Sequence, residues 1–262
     1  MVFCFRDTCT PRIPYNLLSN VHFRIQISSL SPIQSTTWMQ EIVTFISSRG
    51  DPHVSQTVPN WARAPWLEQM YFPAIQETYN STPRVITTHL PHHLLGPALQ
   101  GSKAKVIYVS RNPKDVVVSF FHFHKIANFF RRLTHSQMHY GSWFDHIKGW
   151  TGQIGTMNNL LHMTYEDMLL DLHGAIQKVS SHLEIPLLEE EVSNCVKHCS
   201  FSSMKDNKMA NYTLIDEEII NHGKGSFMRN GKIGDWKNMF TEELNQYFQS
   251  IFEAKMKDCT LE

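Results

Sequence analysis

Residues 103–125 read KAKVIYVSRNPKDVVVSFFHFHK. The apolar run VIYVS is closed by Arg111-Asn112-Pro113, and a segment with helical spacing begins near Asp115. Proline suits a first helical turn, where its missing N–H would have had no partner. The stretch therefore predicts a buried strand, a turn and a helix, the unit from which parallel α/β sheets are built. RVITTHLP (84–91) repeats the first half, a short apolar strand closed by a proline, with His89 at its carboxyl end. NNLLHMTYED (158–167) offers another strand and turn, and residues 168–200 read mostly as helix. Ligands of open α/β sheets sit outside the carboxyl ends of the strands, so His89 and Arg111 are expected to face one crevice.

Upstream, SPIQSTTWMQEIV (31–43) opens another helix. TTWMQEIVTFISSRG clusters Trp38, Ile42, Val43 and Phe45 or Ile46 on one face and stops at Gly50 and Pro52. Exposed N–H groups at a helix start bind anions. A phosphate loop of the form G-x-x-x-x-G-K-[ST] also brings glycine and lysine, and Pro32, Ile33, Gln34 and Ser35 supply neither. Thr36, Thr37 and the helix start thus keep the anion-binding dipole while the loop has lost its charge. Residues 1–30 carry weak periodicity, and HFRIQISS (22–29) alternates like an exposed strand. NWARAPWLEQMYFP (60–73) reads as an aromatic loop, and GSFMRNGKIGDWKNMF (225–240) as a loop before the final helix TEELNQYFQSIFEAKM.

The 262 residues suit one α/β domain, and 42% hydrophobic against 18% charged residues is a globular composition. With 24 basic and 24 acidic side chains, no long-range field favours nucleic acid. Five scattered cysteines, Cys4, Cys9, Cys195, Cys199 and Cys259, are not a disulfide framework and point to a reducing cytoplasm. The opening MVFCFRDTCTPRIPYNLL is too interrupted for a signal peptide or a membrane span. The pairs His92-His93 and His122-His124 do not share helix faces and have no completing cluster, so no metal is expected.

At SRNPKDVVVSFFHFHK and FMRNGKIGDWKNMF the chain resembles the cytosolic sulfotransferases, with YGSWFDHIKGW and MANYTL leaning toward the hydroxysteroid-type branch. The resemblance runs from about Ser35 to the C-terminus, with residues 1–30 as an atypical N-terminal segment and 31–262 as the sulfotransferase domain. It implies a single α/β domain of the phosphate-loop nucleotide-binding type, a parallel sheet flanked by helices. It implies transfer of a sulfuryl group from 3'-phosphoadenosine 5'-phosphosulfate to a hydroxyl of a small hydrophobic acceptor, a steroid-like alcohol or a phenol. By the same resemblance, Arg111 and Ser119 clamp the 3'-phosphate and Ser35, Thr36 and Thr37 belong to the phosphate loop. Trp38, Tyr165 and Phe201 surround the adenine, with Cys199, Ser200 and Met204 in the same segment. Phe227, Met228, Arg229, Asn230 and Gly231 form a loop over the 3'-phosphate, where the family commonly reads Arg-Lys-Gly, so Asn230 removes one charge.

His89 is the implied general base, a role that a neutral imidazole suits near physiological pH. Trp61, Trp66, Tyr71 and Phe72 are expected to line an apolar acceptor pocket. The chain departs from the family loop Pro-Lys-Ser-Gly-Thr-Thr-Trp at Ile33, Gln34 and Ser35, and residues 127–143 are shorter than their equivalent. The family's homodimer segment appears as KNMFTEELNQ, with Glu242 for valine and Gln246 for glutamate. The alternative function is a non-catalytic nucleotide-binding relative. A phosphate-loop kinase is disfavoured because no G-K-[ST] or magnesium-binding carboxylate follows the first strand.

Overall fold

The computed structural model describes residues 23–28, 34–78, 84–127 and 141–257. Ile33 and most of the shortened segment lie outside them, as do Cys4, Cys9 and Cys259. Four parallel strands, β1 (Phe23–Ser28), β2 (Arg84–Thr88), β3 (Lys105–Ser110) and β4 (Leu160–Thr164), form one sheet in the order β2-β1-β3-β4. Ile25 lies opposite Ile86 on one side and Val106 on the other, and Tyr108 lies opposite His162. Residues 23–28 of the weak stretch are therefore an interior strand, paired along both sides, and the sheet reaches back into the segment expected to be atypical. Val106, Ile107, Tyr108 and Val109 of β3 are all buried, as a parallel strand covered on both faces requires.

Helices cover both faces. On one side α1 (Gln34–Ser47) packs with α9 (Leu172–His182) and α10 (Glu189–His198), around Ile42, Ile46, Ile176, Val179 and Val192. On the other, α5 (His92–Leu99), α7 (Trp143–Thr151) and the last helix α12 (Glu242–Met256) enclose Leu95, Trp143, Ile147, Trp150 and Met256. The expected single apolar face of α1 is incomplete, because every residue from Ser35 to Ile46 is buried. Its polar side chains are matched from the 60–73 region, which contains a short helix, α3 (Asn60–Arg63), rather than loop alone. Gln40 donates to Ala64 O at 3.0 Å and to Thr87 Oγ1 at 2.9 Å, and Glu41 pairs with Arg63. A charge this deep is tolerated because it is paired.

The helix predicted near Asp115 is α6 (Pro113–Ile126), with Pro113 in its first turn and Asn112 Oδ1 accepting from Lys114 N at 3.0 Å. Asp115 is turned to another use: its carboxylate accepts from Gly234 N at 2.8 Å and Trp236 N at 3.0 Å. The 225–240 loop is thereby pinned along α6. Thr241 caps α12, accepting from Leu244 N at 3.2 Å. Among the described residues no helix is long and apolar enough to cross a membrane.

Candidate functional site

The carboxyl ends of the strands bring together the start of α1, His89, Arg111 and Tyr165, as the strand-turn-helix pattern requires. Arg111 is 5% exposed, and its guanidinium carbon lies 4.2 Å over the Tyr165 ring. Nη2 reaches Lys232 O at 3.5 Å, whereas Nε and Nη1 are buried with no hydrogen-bond partner among the described residues. Leaving two donors of a buried guanidinium unmatched is expensive unless an anion meets them. Tyr165 meets the Trp38 ring edge-on at 5.4 Å, and Trp38 Nε1 donates to Cys199 O at 2.7 Å. Ser35 and Thr37 are fully buried at the first turn of α1, and the Ser35 hydroxyl has no hydrogen-bond partner among the described residues. The Thr37 hydroxyl forms no well-shaped hydrogen bond, although the Tyr212 phenol lies close to it. Thr36 is buried between them.

The loop at 225–235 closes the other wall. Gly231 has φ +63°, and a Cβ there would stand 2.4 Å from Phe201 Cδ2, so glycine alone fits against that ring. Arg229 is paired with Asp235, and Asn230 Nδ2 donates to the other oxygen of the same carboxylate at 2.9 Å. Burial pushes the Asp235 carboxyl upward, but hydrogen bonds from Arg229 and Asn238 outweigh it and hold the group below the usual range. Ser119, His122, Phe123, Phe227 and Arg229 share one crevice between α6 and this loop.

His89, 7% exposed, ends β2. Its ring lies 4.6 Å from that of Trp66. Its main chain is held from both sides. His89 N donates to Glu68 Oε1 at 2.6 Å, an oxygen that also accepts from Thr88 Oγ1 at 2.6 Å, while His89 O is 3.1 Å from His146 Nε2. Burial raises the Glu68 carboxyl against the bonds from Thr88 and His89. Burial and the neighbouring His89 imidazole lower His146 to about 3, so its ring is neutral. A carbonyl only accepts, so His146 carries its proton on Nε2, and Nδ1 accepts from Tyr108 OH at 3.3 Å.

The family model for the sulfotransferase domain matches residues 35–260. This chain belongs to the sulfotransferase family. It is 40% identical over 237 residues to sulfotransferase 2B1 of Homo sapiens, covering 86% of this chain and 64% of that protein. It is 38% identical over 237 residues to a 3-alpha-hydroxysteroid sulfotransferase of Cavia porcellus, covering 86% of this chain and 81% of that one. A crystal structure of retinol dehydratase in complex with retinol and PAP superposes with a TM-score of 0.76 at 25% identity, covering 95% of this chain and 88% of that one. The chain thus spans a little under two thirds of the length of the human relative.

Within this member of the family the sequence-predicted positions divide. Trp38, Arg111 and Tyr165 interlock directly, as do Phe201 and Gly231. Cys199 contributes its carbonyl, and its thiol is buried and raised well above the ordinary range by that burial. Ser200 is occupied in capping α11 (Phe201–Asp206), accepting from Ser203 N at 3.3 Å. Met204, Phe227 and Met228 are packed into the core, where they back the wall. Of the four aromatic residues expected around the acceptor, Trp66 lies against His89, Trp61 meets Tyr71 edge-on at 6.0 Å, and Phe72 is committed to the core. Ser35 stands where the family has glycine, yet only Arg49, Glu184 and Tyr212 among described non-glycine residues have positive φ. Its backbone pays no left-handed strain. Sequence reasoning missed Glu68, Tyr108 and His146. The last was accessible, because Trp143, His146, Ile147 and Trp150 recur at the spacing of one buried helix face, on which a polar residue needs a partner.

Proposed function

We propose that this chain transfers a sulfuryl group from 3'-phosphoadenosine 5'-phosphosulfate to a hydroxyl of a small hydrophobic acceptor, a steroid-like alcohol or a phenol. The observation that carries this function is the buried Arg111 fork, with Nε and Nη1 unpartnered among the described residues. A planar guanidinium in that state suits phosphate oxygens. The named activity of the hydroxysteroid relative and the PAP and retinol in the retinol dehydratase complex support the choice of donor and acceptor class.

Bound there, the donor supplies the sulfuryl group and a phosphate leaving group. Arg111, Ser119 and the Arg229–Gly231 loop hold the 3'-phosphate. Trp38, Tyr165 and Phe201 enclose the adenine, with Cys199, Ser200, Met204, Phe227 and Met228 behind them. The first turn of α1, Ser35 to Thr37, faces the 5' side with its N–H groups. His89 accepts the proton of the acceptor hydroxyl, while Trp66 keeps its ring in place. No metal is needed for these roles. The reading includes a cytoplasmic location, in keeping with Cys195 and Cys199, both free and buried. The family's homodimer segment is altered at 237–246, where Gln246 Nε2 donates to Glu242 Oε1 within its own helix at 3.0 Å, so the reading commits to no dimer.

The test is a turnover assay with labelled sulfuryl donor and a mixed panel of hydroxysteroids and phenols. Labelled sulfate ester is the expected product. Tight nucleotide binding with no product from any acceptor would make the chain a non-catalytic relative.

A further inference from the structure

We infer that His122 is an added ligand for the 3'-phosphate of the nucleotide, supplying charge that the 225–235 loop lacks; this rests on the function proposed above. His122 follows Ser119 by three residues on α6, so both project from one helix face. Ser119, His122, Ser226 and Arg229 form the polar wall of the crevice between α6 and the loop, with Phe123 and Phe227 beside them. His122 and Arg229 are the ionisable groups of that wall. Arg229 already shares its charge with Asp235, and Asn230 brings none. A phosphate dianion entering the crevice therefore meets a guanidinium already shared with Asp235, and within this wall the imidazole adds positive charge to that of Arg111 behind it.

The groups facing His122 are Arg229 and Asp235 from the loop and Lys125 from its own helix. In the free protein burial, Arg229 and Lys125 hold the imidazole below its ordinary range, with Asp235 opposing them. A phosphate reverses the local field and favours imidazolium. Binding then takes up a proton, and affinity falls as pH rises from the pKa of the free ring to that of the complex.

The probe is 3'-phosphoadenosine 5'-phosphate, titrated calorimetrically into the full chain between about pH 6 and pH 8 in buffers of different ionisation heat. Wild type should lose about tenfold more affinity over that range than His122→Gln, the scale of one charge-assisted hydrogen bond. His122→Lys should stay tight and nearly independent of pH. Adenosine 5'-phosphate, which lacks the 3'-phosphate, should not distinguish the three proteins. Independently of any variant, the His122 Cε1 resonance of the wild type should titrate at higher pH once the nucleotide is bound. Identical titration with and without nucleotide, or a Gln variant with the wild-type pH profile, overturns the inference and leaves the proposed function standing. A wild type that binds no nucleotide at any pH overturns both.

Discussion

At the scale of single residues, Arg111 and His89 differ in what their loss should do. Arg111 is buried over Tyr165 with two donors that have no partner among the described residues, so Arg111→Ala removes the fork proposed to meet the 3'-phosphate. Affinity for 3'-phosphoadenosine 5'-phosphate should fall by about 1.5 to 3 kcal/mol, measured by calorimetry. Equal affinity in both proteins would remove the phosphate clamp from Arg111. His89 is held by its main chain, N–H to Glu68 and carbonyl to His146, and neither bond involves the imidazole. His89→Ala should therefore leave the end of β2 in place and nucleotide affinity nearly intact, while turnover drops by about 10²-fold to 10⁴-fold. A variant that also loses the nucleotide would make His89 structural, and one with normal turnover would put the base elsewhere.

At the scale of the element, the decisive unit is the turn that feeds α1. The helix delivers its N–H groups to the carboxyl end of the sheet, but Ile33 and Gln34 bring no charge with them. Ser35 is helical and unstrained, so glycine there would act by clearing the Cβ and hydroxyl from an approaching anion rather than by relieving φ. The triple change Ile33→Lys, Gln34→Ser, Ser35→Gly should raise the transfer rate at saturating donor by roughly 10²-fold to 10³-fold, the usual worth of a preorganised group at developing charge. Ile33→Lys alone should recover most of it. The rate is read beside a thermal melt showing both proteins folded. No gain in a folded triple variant would shift the defect to the 127–143 segment.

At the scale of the whole molecule, buried histidines tie the fold to pH. His146 titrates at about 3 in the fold against an ordinary 6.5, and burial also lowers His162 and His182. Between those values the unfolded chain binds more protons than the native one, so stability is full above about pH 6.5 and is lost as pH falls toward 3. His146 alone accounts for roughly 3 to 6 kcal/mol of that loss. Glu41 and Glu68, raised by burial, act in the opposite sense as they protonate, which softens the decline above about pH 4.5 and leaves its acid end to the histidines. Urea unfolding from about pH 7 down to pH 4 should show falling stability, and a much flatter profile in His146→Gln. An equal slope in both would mean that His146 is not the neutral buried ring described above.

The sequence by itself determined the features whose causes are local. An apolar run followed by Arg111-Asn112-Pro113 makes a strand, a turn and a capped helix, and with the proline-closed run at 84–91 it places Arg111 and His89 at strand ends on one side of a parallel sheet. Gly231 belongs to the same class, through the motif around it. Only the tertiary structure decided which groups answer one another. FRIQIS looks exposed until β2 and β3 pair along its two sides. Gln40 and Glu41 look like the wet face of α1 until Ala64, Thr87 and Arg63 meet them. The grip of Glu68 and His146 on His89 follows the same rule. Period and capping are written into neighbouring residues, whereas the partner of a buried polar group is chosen by packing between segments distant in the chain.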